Sequence, residues 1–285
     1  MSALPELLLS AGESLSVELR PPQAGLQGAR SMDDWIDTYH AIRRLTVAGR
    51  PVFITDNAVG RLEEENLRHL VANLGTDAER SRIVPFLTAK HPLDYCLRYA
   101  ERAQDHGFRT LVVLGGDRHD GLARCVEHAS ELRRRIRSRV PDLTLGGWAN
   151  PHGDSSQQAG FLERGEVHAD FFLTQVVSHH SSAEVGRFLE ELGKRRIEIP
   201  GIFGVFYYRS SRPKTLSALG RFFPVPAAAL QREFDEEGMD SDAVCARSIR
   251  ALRGLGVRHV YVSNLPVADA SARLDRIAAL VSHSE

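Results

Sequence analysis

Short runs of β-branched and aromatic residues alternate along the chain with longer segments whose apolar positions recur every three or four residues. The runs Leu15 to Leu19, Val52 to Thr55, Ile83 to Thr88, Thr110 to Leu114, Leu143 to Trp148, Asp170 to Val176, Gly201 to Phe206 and His259 to Val262 predict eight strands. Between them, Asp33 to Ala48, Leu62 to Leu74, Pro92 to His106, Ala183 to Lys194, Asp242 to Leu255 and Ser271 to Ser282 predict helices. The clearest helix places Leu122, Val126, Ala129, Leu132, Ile136 and Val140 on one apolar stripe. Several helices stop at a glycine just before the next strand, as in His106-Gly107-Phe108 and Leu255-Gly256-Val257, which suits a left-handed residue closing the helix.

Eight strands joined by helices at a spacing of roughly 30 residues predict an α/β fold, a closed (β/α)8 TIM barrel forming one domain over residues 1–285. The misfit is the long stretch between Phe206 and His259, with Pro213, Pro224 and Pro226. It predicts an insertion before the last strand, an extra helix plus a loop over one rim.

Composition adds enough apolar residues for a sizeable core, 42% hydrophobic against 26% charged, and excludes disorder and collagen. Lys and Arg total 36 against 37 for Asp and Glu, so a net charge of -1 gives no general attraction to nucleic acid or an anionic membrane. Neither partner is expected, while a homo-oligomer is left open. Arg133, Arg134, Arg135, Arg137 and Arg139 read as a solvated outer face of one helix. No apolar run approaches the roughly 20 residues of a membrane span, and Leu7 to Leu9 have no basic leader or cleavage site. Cys96, Cys125 and Cys245 form no CxxC pair. Core thiols in a reducing cytoplasm are the expectation.

A barrel of this kind carries its chemistry where strands end. Those ends offer Glu18, then Thr55, Asp56 and Asn57, then Thr88 and Lys90, then Gly115-Gly116-Asp117, and later Asn150 to His152, Gln175, Tyr207 to Arg209, and Ser263-Asn264. Glu18 interrupts an apolar strand, where burial would raise a carboxyl pKa toward that of a general acid, unless an arginine pairs with it for structural reasons. Asp117 follows two glycines that let the backbone approach a ligand, although an Asp there equally suits a helix cap. His119, His152, His179 and His180 match no familiar zinc spacing, and no carboxylates are arranged with them in sequence. They read as surface or helix-start histidines, so no metal site is expected. No Walker loop, dinucleotide fingerprint or GxSxG elbow is present.

Taken in order, Val17-Glu18-Leu19-Arg20-Pro21-Pro22, Phe53-Ile54-Thr55, Pro85-Phe86-Leu87-Thr88, Leu114-Gly115-Gly116-Asp117, Leu173-Thr174-Gln175 and Ile199-Pro200-Gly201-Ile202 carry a likeness from Ser16 to about Leu265. The chain resembles the methylenetetrahydrofolate reductase family of (β/α)8 barrels. The resemblance implies reduction of 5,10-methylenetetrahydrofolate to 5-methyltetrahydrofolate with NADH or NADPH, within one-carbon metabolism. It implies that Glu18 is the acid that opens the methylene-bridged ring and that Asp117 holds the pterin and stabilises the cation. Gln175 would contact the pterin edge, and Tyr208 would pack against folate or nicotinamide. Thr55, Asn57, Trp148, His152 and Arg164 are the cofactor-binding candidates.

The departures from the family concentrate on its FAD. Phe86 replaces a histidine, Gly115 an arginine, Trp148 to His152 a Tyr-Pro-Glu segment, and Gln157 an acidic residue, while Arg164 keeps a charge suited to phosphate. The expectation is an intact folate half with flavin binding weakened or absent, and hydride passing directly from nicotinamide to folate. Competing readings are a pterin-binding methyltransferase, a non-catalytic folate-binding subunit and, least favoured, a metal-dependent barrel hydrolase.

Overall fold

The computed structural model describes residues 4–10, 12–24, 28–56, 65–75, 78–116, 123–163 and 168–282. Asn57, Asp117, His119 and Arg164, singled out above, lie outside the described residues. Eight strands, β1 (Ser14–Leu19), β2 (Val52–Ile54), β3 (Ile83–Thr88), β4 (Thr110–Leu114), β5 (Thr144–Ala149), β6 (Phe171–Val177), β7 (Gly201–Phe206) and β8 (His259–Ser263), close a barrel in chain order. Every neighbouring pair is parallel, and β8 returns to β1 with Glu18 opposite Ser263. This is the (β/α)8 barrel that the alternation predicts.

Successive side chains of a strand point to opposite faces, so each strand feeds two cores. Phe53, Val84, Phe86, Val112, Phe171, Leu173, Ile202 and Tyr261 fill the barrel interior. Their neighbours, such as Val17, Ile54, Leu87, Val113, Val205 and Val262, face outward into a second cluster with the helix stripes. Those stripes include Leu132 and Ile136 of one helix, Ile249 and Leu252 of another, and Leu274 and Ile277 of the last.

The helices are α1 (Leu4–Leu9), α2 (Gly28–Val47), α3 (Asn66–Asn73), α4 (Leu93–Asp105), α5 (Ala129–Arg139), α6 (Ser155–Gly160), α7 (Ser182–Lys194), α8 (Pro213–Leu219), α9 (Ala227–Gln231), α10 (Ser241–Gly254) and α11 (Ala270–Ser282). Gly107 at φ +82° and Gly256 at φ +89° close α4 and α10 in the left-handed conformation that glycine adopts without strain. α5 begins later than its apolar stripe suggests, because the Cys125 amide donates to the Ala89 carbonyl at 2.7 Å and draws the preceding segment away from helix. α6 was not expected. Its start is fixed by Asp154, whose side chain accepts from the Gln157 amide at 2.7 Å.

Two further departures bear on the ends of the barrel. α1 carries Leu4 and Leu8 into the interior cluster at the end where the strands begin. The insertion between β7 and β8 contains two short helices rather than one, and α9 runs into a π-helical turn, Arg232–Glu236. Leu216, Leu230 and Val244 gather there around Tyr208.

Arg133 corrects the reading of a solvated arginine face. It is buried under α5, its guanidinium donates to the Val113 carbonyl at 2.9 Å, and burial draws its pKa down to about 10. Arg135, Arg137 and Arg139 are paired with Glu131, Asp170 and Glu101. The three cysteines are free thiols, with Cys96 and Cys245 buried. Among the described residues no helix is long and apolar enough to cross a membrane.

Candidate functional site

The alternation that sends Leu15, Val17 and Leu19 outward turns Glu18 toward the barrel axis at the mouth, where it is half-buried. The Ser263 hydroxyl donates to Glu18 Oε1 at 2.7 Å, across the β1–β8 register. Behind it, Tyr261 is fully buried and its hydroxyl donates to the Thr174 carbonyl at 2.6 Å. Burial, and then the Glu18 charge, push that phenol far above the ordinary range, so Tyr261 stays neutral.

Gln175 stands where β6 slips against β7, the register shifting between Leu173 and Val176. Such a bulge re-aims a side chain at the rim of a barrel. Thr174 Oγ1 fixes it by accepting from the Gly204 amide at 3.1 Å, and Gln175 Oε1 accepts from the Val176 amide at 3.0 Å. Gly204 itself has no room for a side chain, since a Cβ there would come within 2.5 Å of the Tyr261 ring. Trp148 packs on the interior cluster from β5, opposite Leu173.

On the β2–β3 side, Thr55 is buried and its amide donates to the Leu19 carbonyl at 3.1 Å. The Asn66 amide group stitches the two strand ends, donating to the carbonyls of Thr55 at 2.9 Å and Phe86 at 3.0 Å. Asp56, present in the rim sequence but given no role there, is the hub of this wall. Its Oδ2 accepts from the Thr88 amide at 2.7 Å, the Thr88 hydroxyl at 2.9 Å and His91 Nε2 at 2.9 Å. Burial alone would lower the His91 pKa, but the hydrogen bond and charge of Asp56 outweigh it and hold His91 above its ordinary value.

On the opposite side, a cavity of about 200 Å³ opens between the ends of β6 and β7 and the insertion. His152, Val176, His180, Phe206 and Tyr208 line it with the segment Pro224–Pro226. Tyr208 is buried edge-on to Phe206 at 5.0 Å between ring centroids, and burial pushes its phenol up. His152 is tied at Nε2 to the Val176 carbonyl at 2.9 Å. The structure thus brings Tyr208 and His152 to one cavity, whereas Glu18, Trp148 and Gln175 share the inner face of the barrel.

Beside the cavity, the fold joins residues that the sequence keeps apart. His179 Nε2 lies 2.6 Å from Glu233 Oε1, although 54 positions separate them, and His180 Nε2 lies 3.4 Å from the same oxygen. Burial lowers the His179 pKa despite the favourable Glu233 contact. Glu233 is itself held low, because contacts with His179 and Arg247 outweigh its burial. The carboxylate that no sequence spacing supplied is therefore present. No local pattern could have found it, since Glu233 sits in an insertion whose path is set only by packing.

The space beside Gly115 also changes the picture of a lost arginine. A Cβ there would lie 2.9 Å from the Arg124 guanidinium, which donates to the Gly116 carbonyl. A cation reaches that spot from a different position in the chain.

No family model and no curated protein matches the chain. Among solved structures, it is similar to a protein from Clostridium thermocellum that binds two copies of 5-methyl-5,6,7,8-tetrahydrofolic acid, with a TM-score of 0.67, 16% identity, and 98% of this chain and 97% of that one covered. A protein from Aquifex aeolicus VF5 is similar at a TM-score of 0.53 and 12% identity, covering 97% of this chain and 93% of that one. At these identities the likeness shows a shared barrel fold.

Proposed function

We propose that the protein binds a reduced folate in the C-terminal mouth of the barrel and reduces 5,10-methylenetetrahydrofolate to 5-methyltetrahydrofolate with NADH or NADPH. The observation that carries this reading is Glu18, an inward carboxyl group at the mouth whose hydrogen bond from Ser263 fixes it in place. Gln175 on the β6 bulge offers an amide at the same mouth for the pterin edge. The folate ligand of the Clostridium barrel supports the ligand class.

In this reading Glu18 is the general acid, taking up a proton and passing it to N10 as the bond from N10 to the bridging carbon breaks, leaving an iminium on N5. The iminium carbon then accepts hydride from the dihydronicotinamide and becomes the methyl group, and the nicotinamide leaves oxidised. Asp117 keeps the role that the resemblance implies, stabilising the cation.

One observation supports hydride transfer without FAD. Phe86, where the family has a histidine, is buried against Phe53 with centroids 6.1 Å apart, and its ring offers no hydrogen bond. Phe86 does not fit that family contact to the flavin, and no step here uses FAD.

Anaerobic oxidation of NADH or NADPH with methylenetetrahydrofolate, with and without added FAD, tests the proposal. Turnover without FAD, by protein free of a stoichiometric flavin absorption, is the expected result. Binding of 5-methyltetrahydrofolate with no nicotinamide oxidation would replace the reductase by a methyl-transfer or purely folate-binding role, a reading favoured by the methylated ligand of the Clostridium protein. Absence of folate binding would overturn both.

A further inference from the structure

We propose that His179, His180 and Glu233 form a site for a divalent transition cation of the zinc class, which pins the β7–β8 insertion to the end of β6. The two histidines follow β6 directly at the rim, and Glu233 reaches them from the π-helical turn Arg232–Glu236. One ligand atom from each residue lies within 4.8 Å of the other two. Tetrahedral zinc with bonds near 2.0–2.2 Å sets its ligand atoms about 3.3–3.6 Å apart. His180 Nε2 and Glu233 Oε1, at 3.4 Å, already meet that spacing, and His179 Nε2, at 2.6 Å from the same oxygen, needs to retreat by less than about 1 Å.

The carboxylate is prepared for a cation. Glu233 is 3% exposed, and its Oε2 is buried with no hydrogen-bond partner among the described residues. A carboxylate oxygen held out of water without a donor is costly, and a metal ion held by both oxygens of the carboxylate would satisfy it. Arg247 shares its charge between Glu233 Oε1 and Glu237, both at 2.9 Å, so Glu233 is only partly neutralised. Glu184 adds another carboxylate to the wall of the neighbouring cavity.

The supporting contacts are those of a ligating histidine. Ser248 Oγ lies 2.9 Å from His179 Nδ1 and can also donate to the Val244 carbonyl at 3.3 Å. With its own proton on Val244, it accepts Nδ1–H and leaves the Nε2 lone pair for the metal, the usual way an outer partner fixes the tautomer. Two imidazoles and one carboxylate favour zinc, cobalt or nickel over magnesium or calcium. His180 also lines the 200 Å³ cavity, so the fourth position opens there, to water or to a ligand donor. The π-helical turn suits such a role, since single π turns commonly mark functional positions in helices.

Chelator-treated protein titrated with Zn²⁺ by calorimetry, and with Co²⁺ by visible absorption, gives the test. The expected result is one tightly bound equivalent, the absorption of tetrahedral cobalt, and a rise in melting temperature on adding metal. Ser248→Ala should weaken binding about 10- to 100-fold, and His180→Ala more. Because His180 is exposed, His180→Ala should keep the metal-free melting temperature of the parent; Glu233→Gln is the second variant and should remove the cobalt spectrum. Wild-type affinity no tighter than that of His180→Ala, or tight binding unchanged in both variants, would overturn the site and leave an ion-pair cluster.

Discussion

The two ends of the barrel are built from the same eight strands and have opposite characters. Where the strands begin, α1 brings Leu4 and Leu8 into the interior cluster with Phe171 and Ile202, and Ser14 Oγ lies 2.9 Å from His259 Nδ1. Where they end, the last inward positions of β1, β3, β6 and β8 are Glu18, Thr88, Gln175 and Ser263, beside the apolar Leu114 and Trp148 of β4 and β5, with Thr55 and Asp56 just beyond β2. Alternation decides which side chains face inward at both ends. The identity of the final inward residue on each strand decides whether an end is core or a place for chemistry. Substitutions at the closed end should therefore cost stability, and those at the mouth activity.

The strongest way to break this contrast is Glu18→Gln. Loss of a general acid removes about 10²- to 10⁴-fold in rate, and the expected fall in kcat for nicotinamide oxidation is about 10³-fold. The glutamine oxygen still accepts from Ser263, so the melting temperature should hardly move. Retained turnover with lost stability would place Glu18 with the structural residues instead. Leu8→Ala examines the other end. It should lower the unfolding free energy by about 2 kcal/mol, the low end of the range for a buried leucine, because a short terminal helix can settle into the space. Denaturant unfolding reads this, and kcat should be unchanged.

Between these extremes sits Gly204→Ala, which touches both characters at once. Its Cβ would meet the Tyr261 ring at 2.5 Å, and that ring is fully buried. Overpacking of this kind costs about 1–3 kcal/mol. Displacing Tyr261 also disturbs the hydroxyl that holds Thr174, and with it the bulge that presents Gln175. The expected outcome is a moderate loss of stability accompanied by a raised KM for folate. A stability loss with KM unchanged would separate the bulge from folate recognition.

The barrel was legible because its signals are local. Runs such as Ile83–Thr88 and Gly201–Phe206 match their strands residue for residue, and the glycines after α4 and α10 mark the turns. The inward place of Glu18 at the mouth was legible for the same reason, as a charge inside an apolar strand. What escaped depends on distant pairing. Nothing near Arg133 says that its guanidinium reaches the Val113 carbonyl under α5. Nothing near Gly115 says that Arg124 folds back to cover it. His179 and Glu233 meet only because the insertion packs its apolar residues around Tyr208, which positions the π-helical turn.

The smallest expected effect concerns the Asp56 wall of the mouth and reads out as pH dependence. Asp56 raises the folded-state pKa of His91 above the ordinary 6.5, so the folded protein holds this proton more tightly than the unfolded chain does. Stability from the pair is therefore fully present below pH 6.5 and is lost as pH rises through the folded-state value. The His91 side chain is 26% exposed, so solvent screens the pair and added salt should weaken it. Melting temperatures of wild type and His91→Gln should differ at about pH 5.5 and converge toward about pH 8.5. Thr88 would still donate to Asp56 in the variant from both its amide and its hydroxyl, keeping the carboxylate in place. A gap that widened with pH would mean that His91 packs as the neutral ring, tilted against Tyr95 with centroids 4.7 Å apart, and that Thr88 alone holds this side of the mouth.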